Sequence, residues 1–327
     1  MSKSERRPPF YLGIDLGGTN IKSGVVDDDG RPLSSCSRPT NADAGGAAGI
    51  LTLAEAGREA VRLSGLMWED IKAVGLGSPG TMDLQAGMLL EPPNLPGWEQ
   101  LAIRELLGKE LGKPTILQND ANAAAFGEFW AGAGRGTESL VMFTLGTGIG
   151  GGIIDKGRLI EGRHSHGAEL GHVIIQMENA RQCSCGAFGH LEGYASATAL
   201  VARAIEALER GEVSSLRRHL KDDSLSARTI DEAADAGDSL AKRLMRETAR
   251  YLAVGAVCVM HTIDPDIVLF GGGMIASGPA LLEAIRADVQ SMAFPVPAAK
   301  TRIEYAQLGG DAGFIGAAGC ARQAFGG

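Results

Sequence analysis

The chain has 327 residues, 44% of them hydrophobic and 21% charged, with a formal charge of −8. That length suggests two domains of roughly 150 residues each, and the acidic balance argues against nucleic-acid or anionic-membrane partners, which need a basic surface. No apolar run approaches the roughly 18 residues of a membrane span, the opening MSKSERRPPFYLG lacks the apolar stretch of a secretory signal, and five cysteines, an odd and low count, fit a reducing cytoplasm.

In chain order, PFYLGIDLGG is a predicted strand closing on a glycine turn, followed by the strand IKSGVV and the turn DDDG. A helix is predicted around ILTLAEAGREAVRLSG, then the strand IKAVGLGSPG, which ends in glycine and proline. The loop EPPNLPGWEQ leads to the helix LAIRELLGKELG, and the short strand KPTILQND feeds the helix ANAAAFGEFWAGA. The second half begins again with SLVMFTLGTGIGGGIIDKGRLI, which reads as strand, glycine turn, strand and turn. After a His/Cys region come a helix from about Ser196 to Arg210, a polar loop SSLRRHLKDDSLS and further helices from about Thr229 to His261. DIVLFGGG is a buried strand ending in three glycines, and SGPALLEAIRADVQ a helix with Ser277 as its N-cap. Strands alternating with helices predict an α/β fold.

One pattern occurs twice. DLGGTNIKSGVVDDDGRPL from Asp15 and TLGTGIGGGIIDKGRLI from Thr144, 129 positions apart, each run through Leu-Gly, a β-pair (Val25-Val26, Ile153-Ile154), Asp, a glycine turn and Arg. Such a repeat predicts two related lobes, each opening with a hairpin whose glycine turn faces the other. Exposed turn amides bind anions, so two such turns suit a polyphosphate.

The chemistry-bearing residues have local readings that leave alternatives open. Gly17-Gly18-Thr19 and Gly146-Thr147-Gly148 are either simple hairpin turns or phosphate-binding turns; each leads into a strand, unlike a dinucleotide fingerprint or a Walker loop. Asp15 either bonds its turn or holds Mg²⁺. Asn119-Asp120 closes a strand and opens a helix, so Asp120 is a helix cap or a proton acceptor for a substrate hydroxyl. Gly271-Gly272-Gly273 lies at a strand end, where ligands of α/β sheets bind. His172, Cys183, Cys185 and His190 form a Cys₂His₂ set suited to tetrahedral Zn²⁺, against a redox pair or two packing cysteines.

DLGGTN, GSPG, NDANAAAFGE, LGTGIGGGII, GAELGH, CSCGAFGHLEGYAS and VLFGGG together resemble the ROK family of bacterial sugar kinases and repressors, in the family's order over nearly the whole chain. The resemblance is greatest to its glucokinases. It implies a two-lobed, actin-like (ribonuclease H-like) α/β ATPase fold with the active site in the interlobe cleft. The expected lobes are residues 1–118 with about 308–327, and 119–307 carrying the zinc site. The implied activity is ATP-dependent phosphorylation of a hexose 6-hydroxyl, with glucose expected and N-acetylmannosamine, N-acetylglucosamine, fructose or allose as alternatives.

By the same resemblance Asp120 is the general base, and Asn119, Glu169, His172 and Glu192 hold the sugar hydroxyls, with Ser78, Gly80 and Asn94 lining the pocket. Asp15, Gly17, Gly18, Thr19, Asn20, Lys22, Thr147 and Gly148 would serve the phosphates and Mg²⁺, and Gly272 and Gly273 the adenosine side. A structural Zn²⁺ would shape the sugar pocket through His172, Cys183, Cys185 and His190. The family pattern Cys-x-Cys-Gly-x-x-Gly-Cys-x-Glu has a third cysteine where this chain has His190. A homodimer is implied, and ADP or polyphosphate stands as an alternative donor to ATP. The other classes are a sugar-sensing repressor, which needs a DNA-binding domain that ten residues before the first motif are too few to form, and an actin-like ATPase without a sugar site.

Overall fold

The computed structural model describes residues 7–92, 94–222 and 224–326; the basic segment up to Arg6, Pro93 in the predicted loop, Asp223 in the polar segment and Gly327 lie outside them. The chain forms two compact units, Met1–Glu138 with Gly152–Ala168 and Gln307–Gly327, and Ser139–Gly151 with Glu169–Ala306.

The first unit opens with strands β1 (Phe10–Leu16), β2 (Asn20–Val26) and β3 (Pro32–Pro39), then helix α1 (Gly45–Ser64) and β4 (Ile71–Ser78). A hairpin of β5 (Thr81–Asp83) and β6 (Met88–Glu91) precedes α2 (Ile103–Leu111), β7 (Thr115–Asn119) and α3 (Asp120–Ala131). Its main sheet has the order β3-β2-β1-β4-β7. The two-residue period of β1 explains both faces. Leu12, Ile14 and Leu16 share a core with Leu53, Ala60, Trp98 and Leu107. Tyr11 on the opposite face packs with Phe314 and Ala318 of the C-terminal helix.

The chain continues through β8 (Leu140–Leu145), β9 (Ile149–Asp155) and β10 (Arg158–Leu159), then α4 (Glu192–Ala195), α5 (Ala197–Glu209), α6 (Arg217–Lys221), α7 (Ala227–Asp235) and α8 (Ser239–Ile263). Then follow β11 (Ile267–Gly271), α9 (Pro279–Met292), α10 (Pro295–Lys300), β12 (Arg302–Tyr305) and α11 (Ala312–Phe325), which belongs to the first unit. The second five-stranded sheet runs β10-β9-β8-β11-β12. The two orders match strand for strand, so the duplicated sequence pattern is a duplicated sheet topology. Parallel β8 and β11 are apolar and buried along their shared register as far as Phe143 and Phe270, which stack 5.3 Å apart, and β12 joins them with Ile303 buried beside Val268.

α11 sits so close to the first sheet that its neighbours have to be glycines. A Cβ at Gly13 would lie 1.8 Å from the Phe314 carbonyl oxygen, and one at Gly75 1.8 Å from that of Ala317. α3 packs on α11 as tightly, with a Cβ at Gly316 landing 1.6 Å from the Ala123 carbonyl oxygen. This contact ties residues 119–138 to the first unit, so the division falls after Glu138 rather than at 118/119. Ser277 lies in a 3₁₀ turn rather than capping α9: Gly278 holds the N-cap position and Pro279 starts the helix. The polar segment around 211–226 contains α6, with Ser214 and Ser215 hydroxyls bonded to Asp238 at 2.9 and 2.8 Å. Among the described residues no helix is long and apolar enough to cross a membrane.

Candidate active site and metal centre

In the first unit the site residues gather at the ends of β1, β4 and β7. The Gly17 N–H donates to the Asn20 carbonyl at 3.0 Å, closing the β1–β2 turn, and the Thr40 hydroxyl donates to the Gly17 carbonyl at 2.6 Å. Thr19 and Asn20 are exposed on that turn. Lys22 is held by Asp311 at 2.6 Å. Asn94 has positive φ (60°) and backs onto Gly18, where a Cβ would stand 3.3 Å from that of Asn94. Gly80 also has positive φ (93°). Ser78 ends β4 fully buried and pairs in register with Asn119 of β7.

The strand-to-helix corner at Asn119-Asp120 resolves the cap question. Asn119 is the N-cap of α3, its side-chain oxygen accepting from the N–H groups of Ala121 and Asn122 at 3.0 and 3.1 Å. Asp120 is the first helical residue, and its Oδ1 accepts from the Ala121 N–H at 2.8 Å. The Asn119 side-chain oxygen Oδ1 is therefore committed to the helix, which leaves its amide N–H₂ as the end able to donate to a ligand. Asp15 of β1 pairs with Gly77 of β4. Burial first, then the Asp120 charge, push its carboxyl up to about 7, against the pull of Lys22.

In the second unit the matching turn is tied down on both sides. The Gly146 N–H donates to the Gly148 carbonyl at 3.0 Å, and the Gly146 carbonyl accepts from the Ala197 N–H, also at 3.0 Å. Glu192, the first residue of α4, lies against this turn: its Oε2 accepts from the Ile149 N–H at 2.9 Å, and its Oε1 from the Ser184 hydroxyl. Burial works against ionised Glu192, but the bonds from Ser184, Ile149 and Cys183 outweigh it and keep the carboxyl below its usual range. Glu169 is exposed before the short turn carrying His172, and its Oε2 is 3.9 Å from His172 Nε2.

The other nitrogen of His172 faces the cysteines. His172 Nδ1 is 3.2 Å from His190 Nδ1 and 3.8 Å from Cys183 Sγ, and Cys185 Sγ is 3.3 Å from His190 Nδ1. One donor atom from each of the four residues lies within 4.8 Å of the others. Ligands at ordinary zinc distances, about 2.1 Å for nitrogen and about 2.3 Å for sulfur, stand roughly 3.3–3.8 Å apart along the edges of a tetrahedron. The donor set therefore fits a four-coordinate Zn²⁺, and the Cys183–Glu192 contact (3.4 Å) joins it to the carboxylate on the glycine turn.

A cavity of about 700 Å³ in the second unit begins at Gly146 and Thr147, passes Gly273, Met274 and Ser277, and reaches Arg228, Asp231 and Glu232 of α7. That volume lies within the range of small-molecule sites. Burial raises the Asp231 carboxyl, as do the charges of Asp235 and Glu232, against a hydrogen bond from Ser277. The α7 residues carry no recognisable motif: in sequence they are ordinary charges on an amphipathic helix. Gly272 has positive φ (90°), and a Cβ there would meet the Leu145 carbonyl oxygen at 2.4 Å.

The sequence profile of the ROK family matches residues 11–324. This chain belongs to the ROK family. It is 36% identical over 317 residues to a glucokinase of Thermotoga maritima, covering 97% of this chain and 98% of the relative. A ROK hexokinase from Thermus thermophilus superposes with a TM-score of 0.82 at 36% identity, over 96% and 98% of the two chains. A ROK glucokinase from Streptomyces griseus, solved with glucose and AMPPNP, superposes with a TM-score of 0.78 at 34% identity, over 96% and 99%. These likenesses give this ROK chain the actin-like ATPase fold of the family's sugar kinases.

Proposed function

We propose that this ROK protein is an ATP-dependent glucokinase, with Asp120 as the general base. The full-length likeness to named glucokinases, 34–36% identical, carries this reading. Asp120 accepts the proton of the sugar 6-hydroxyl as that oxygen bonds to the γ-phosphorus. The bond from the γ-phosphorus to the β,γ-bridging oxygen breaks, and ADP leaves with its electron pair. Because Asp120 Oδ1 already accepts from the Ala121 N–H, its carboxylate is oriented before substrate arrives, which favours proton transfer over a short, fixed distance.

Asn119, Glu169, His172 and Glu192 hold the sugar hydroxyls in this reading, with Ser78, Gly80 and Asn94 shaping the same pocket. The glycine turns with Thr19, Asn20 and Thr147 receive phosphate oxygens, and the cavity from Thr147 to Asp231 receives the nucleoside. Lys22, paired with Asp311, acts on phosphate only by leaving or sharing that partner. Asp15 would hold Mg²⁺, which neutralises charge on the transferring phosphates. His172, Cys183, Cys185 and His190 would hold a structural Zn²⁺ that fixes His172 and Glu192; with four protein ligands it has no open position for water. The reading also takes the enzyme to be a cytoplasmic homodimer.

The test is a panel of glucose, N-acetylmannosamine, N-acetylglucosamine, fructose and allose, each with ATP, ADP and polyphosphate, following sugar-phosphate formation. Glucose 6-phosphate from ATP as the dominant product supports the reading. No product from glucose and ATP under any condition refutes it.

A further inference from the structure

β7 is the edge strand of the first sheet, hydrogen-bonded only to β4 among the described residues. An edge strand leaves one row of backbone groups without a strand partner. The N–H of Asn119, immediately before the base, takes the side chain of its own neighbour: Gln118 Oε1 accepts it at 2.8 Å. Gln118 is 1% exposed, and its amide nitrogen donates to Glu161 Oε1 at 2.7 Å. Glu161 in turn stands at the base of a loop closed by the Gly167 N–H donating to the Glu161 carbonyl at 2.8 Å. That loop is fastened to the first unit by the Leu84 N–H, which donates to Ser165 Oγ at 3.0 Å.

We infer that Gln118 and Glu161 are positioning residues for the proposed base, a two-link hydrogen-bond chain that fixes the Asn119 peptide and hence the direction of the Asp120 carboxylate. The inference rests on Asp120 acting as the base. Both ends of the amide are used: the oxygen stops the Asn119 N–H from turning, and the nitrogen is locked by a carboxylate acceptor, the stronger class of hydrogen bond. A buried glutamine with no such partner could flip and present its N–H₂ to the Asn119 N–H, two donors facing each other. Asn119 then caps α3 with its side chain, so its peptide is pinned from behind while its amide oxygen pins the helix ahead. Displacing a reacting group by about 1 Å can cost on the order of 10²-fold in rate.

Glu161 is exposed at the surface, so Glu161→Ala tests the chain without opening the core. The expected result is kcat lowered about tenfold or more, with KM for glucose and for ATP within about threefold of wild type. Glu161→Gln keeps an oxygen acceptor for the Gln118 amide and should retain at least half of kcat. In an Asp120→Asn background, Glu161→Ala should lower the residual rate by less than about twofold, because it acts through the group already removed. Unchanged kcat in Glu161→Ala, equal losses in the Ala and Gln variants, or a full additional tenfold loss on Asp120→Asn would each overturn the inference. Failure of the underlying reading shows separately, as wild-type and Asp120→Asn proteins of equal activity.

Discussion

Asp15 and Asp120 share the space left by the missing side chain of Gly77: a Cβ there would lie 3.7 Å from Asp15 Oδ1 and 3.8 Å from the Asp120 Cα. Two carboxylates at one glycine, partly out of water, resist both being ionised. The Asp15 carboxyl is accordingly pushed up to about 7, by burial first and by Asp120 second. A folded-state value above the ordinary 3.8 means that ionising Asp15 costs folding free energy. That cost is absent below about pH 4, grows between about 4 and 7, and is present in full above. Asp15→Asn should therefore raise the melting temperature of the magnesium-free protein at pH 8 by several degrees, with little difference near pH 4, while abolishing phosphoryl transfer. A melting series against pH checks this, and an unchanged difference across the window contradicts it. In the wild type, Mg²⁺ should bind more tightly as pH rises through 7, because the ion displaces the proton.

A buried charge elsewhere in the first unit has a different task. Glu128 of α3 is fully buried, and its oxygens accept from the N–H groups of Ala133, Gln307 and Leu308 at 2.9, 2.9 and 2.6 Å. Glu128→Ala would strand three backbone donors, each costing about 1–3 kcal/mol. The expected loss of stability is at least ~3 kcal/mol, with Glu128→Gln losing less. Denaturant unfolding measures it, and a loss below about 1 kcal/mol would mean that water replaces the carboxylate.

Much of this arrangement was legible in the sequence, and what was missed has physical reasons. The repeat at Asp15 and Thr144 predicts two related lobes that each open with a hairpin, and each five-stranded sheet contains one, β1 beside β2 and β8 beside β9, because a glycine turn between apolar pairs constrains both strand and turn. β3, sequence PLSSCSRP, carries no strand signal in the sequence: an edge strand that pairs, among the described residues, only with β2 needs little apolar character. The β5–β6 hairpin lies in a stretch whose residues are equally at home in a loop. α11 was visible only as the motif GDAGFIGAA, since its glycines are poor helix formers and are explained by backbones approaching from elsewhere in the unit. At Asn119-Asp120 both residues are good N-caps, so only coordinates decide that Asn119 is the cap and Asp120 the first helical residue. The α7 charges at the cavity, and Gln118 with Glu161, carry no motif because their partners are distant in sequence.

The zinc reading makes a separable prediction. The protein should purify with about one Zn²⁺ per chain. Cys185→Ser should lower zinc content, thermal stability and sugar affinity while leaving nucleotide binding nearly unchanged, because the cluster adjoins Glu192 rather than the α7 cavity. His190→Cys, which restores the family's usual ligand type, should keep both metal and activity. Metal analysis decides the core of this; a zinc-free wild type together with a fully active Cys185→Ser variant refutes it.

Gly148 offers a steric test of Glu192. A Cβ there would lie 2.4 Å from Glu192 Oε2, so Gly148→Ala should push the carboxylate off the Ile149 N–H. The expected outcome is a glucose KM raised at least tenfold in a protein with a near-normal melting temperature. A normal KM would remove Glu192 from the sugar site.

The central claim is that Asp120 takes the proton of the glucose hydroxyl, and its most direct test is kcat of Asp120→Asn with glucose and ATP. The substitution keeps the side chain's shape and its bond to the Ala121 N–H, so the protein should fold and bind glucose. Its kcat should fall by the ~10²–10⁴ that general-base catalysis supplies. A variant that folds, binds glucose and turns over within about threefold of wild type, a loss far short of that range, would contradict the account.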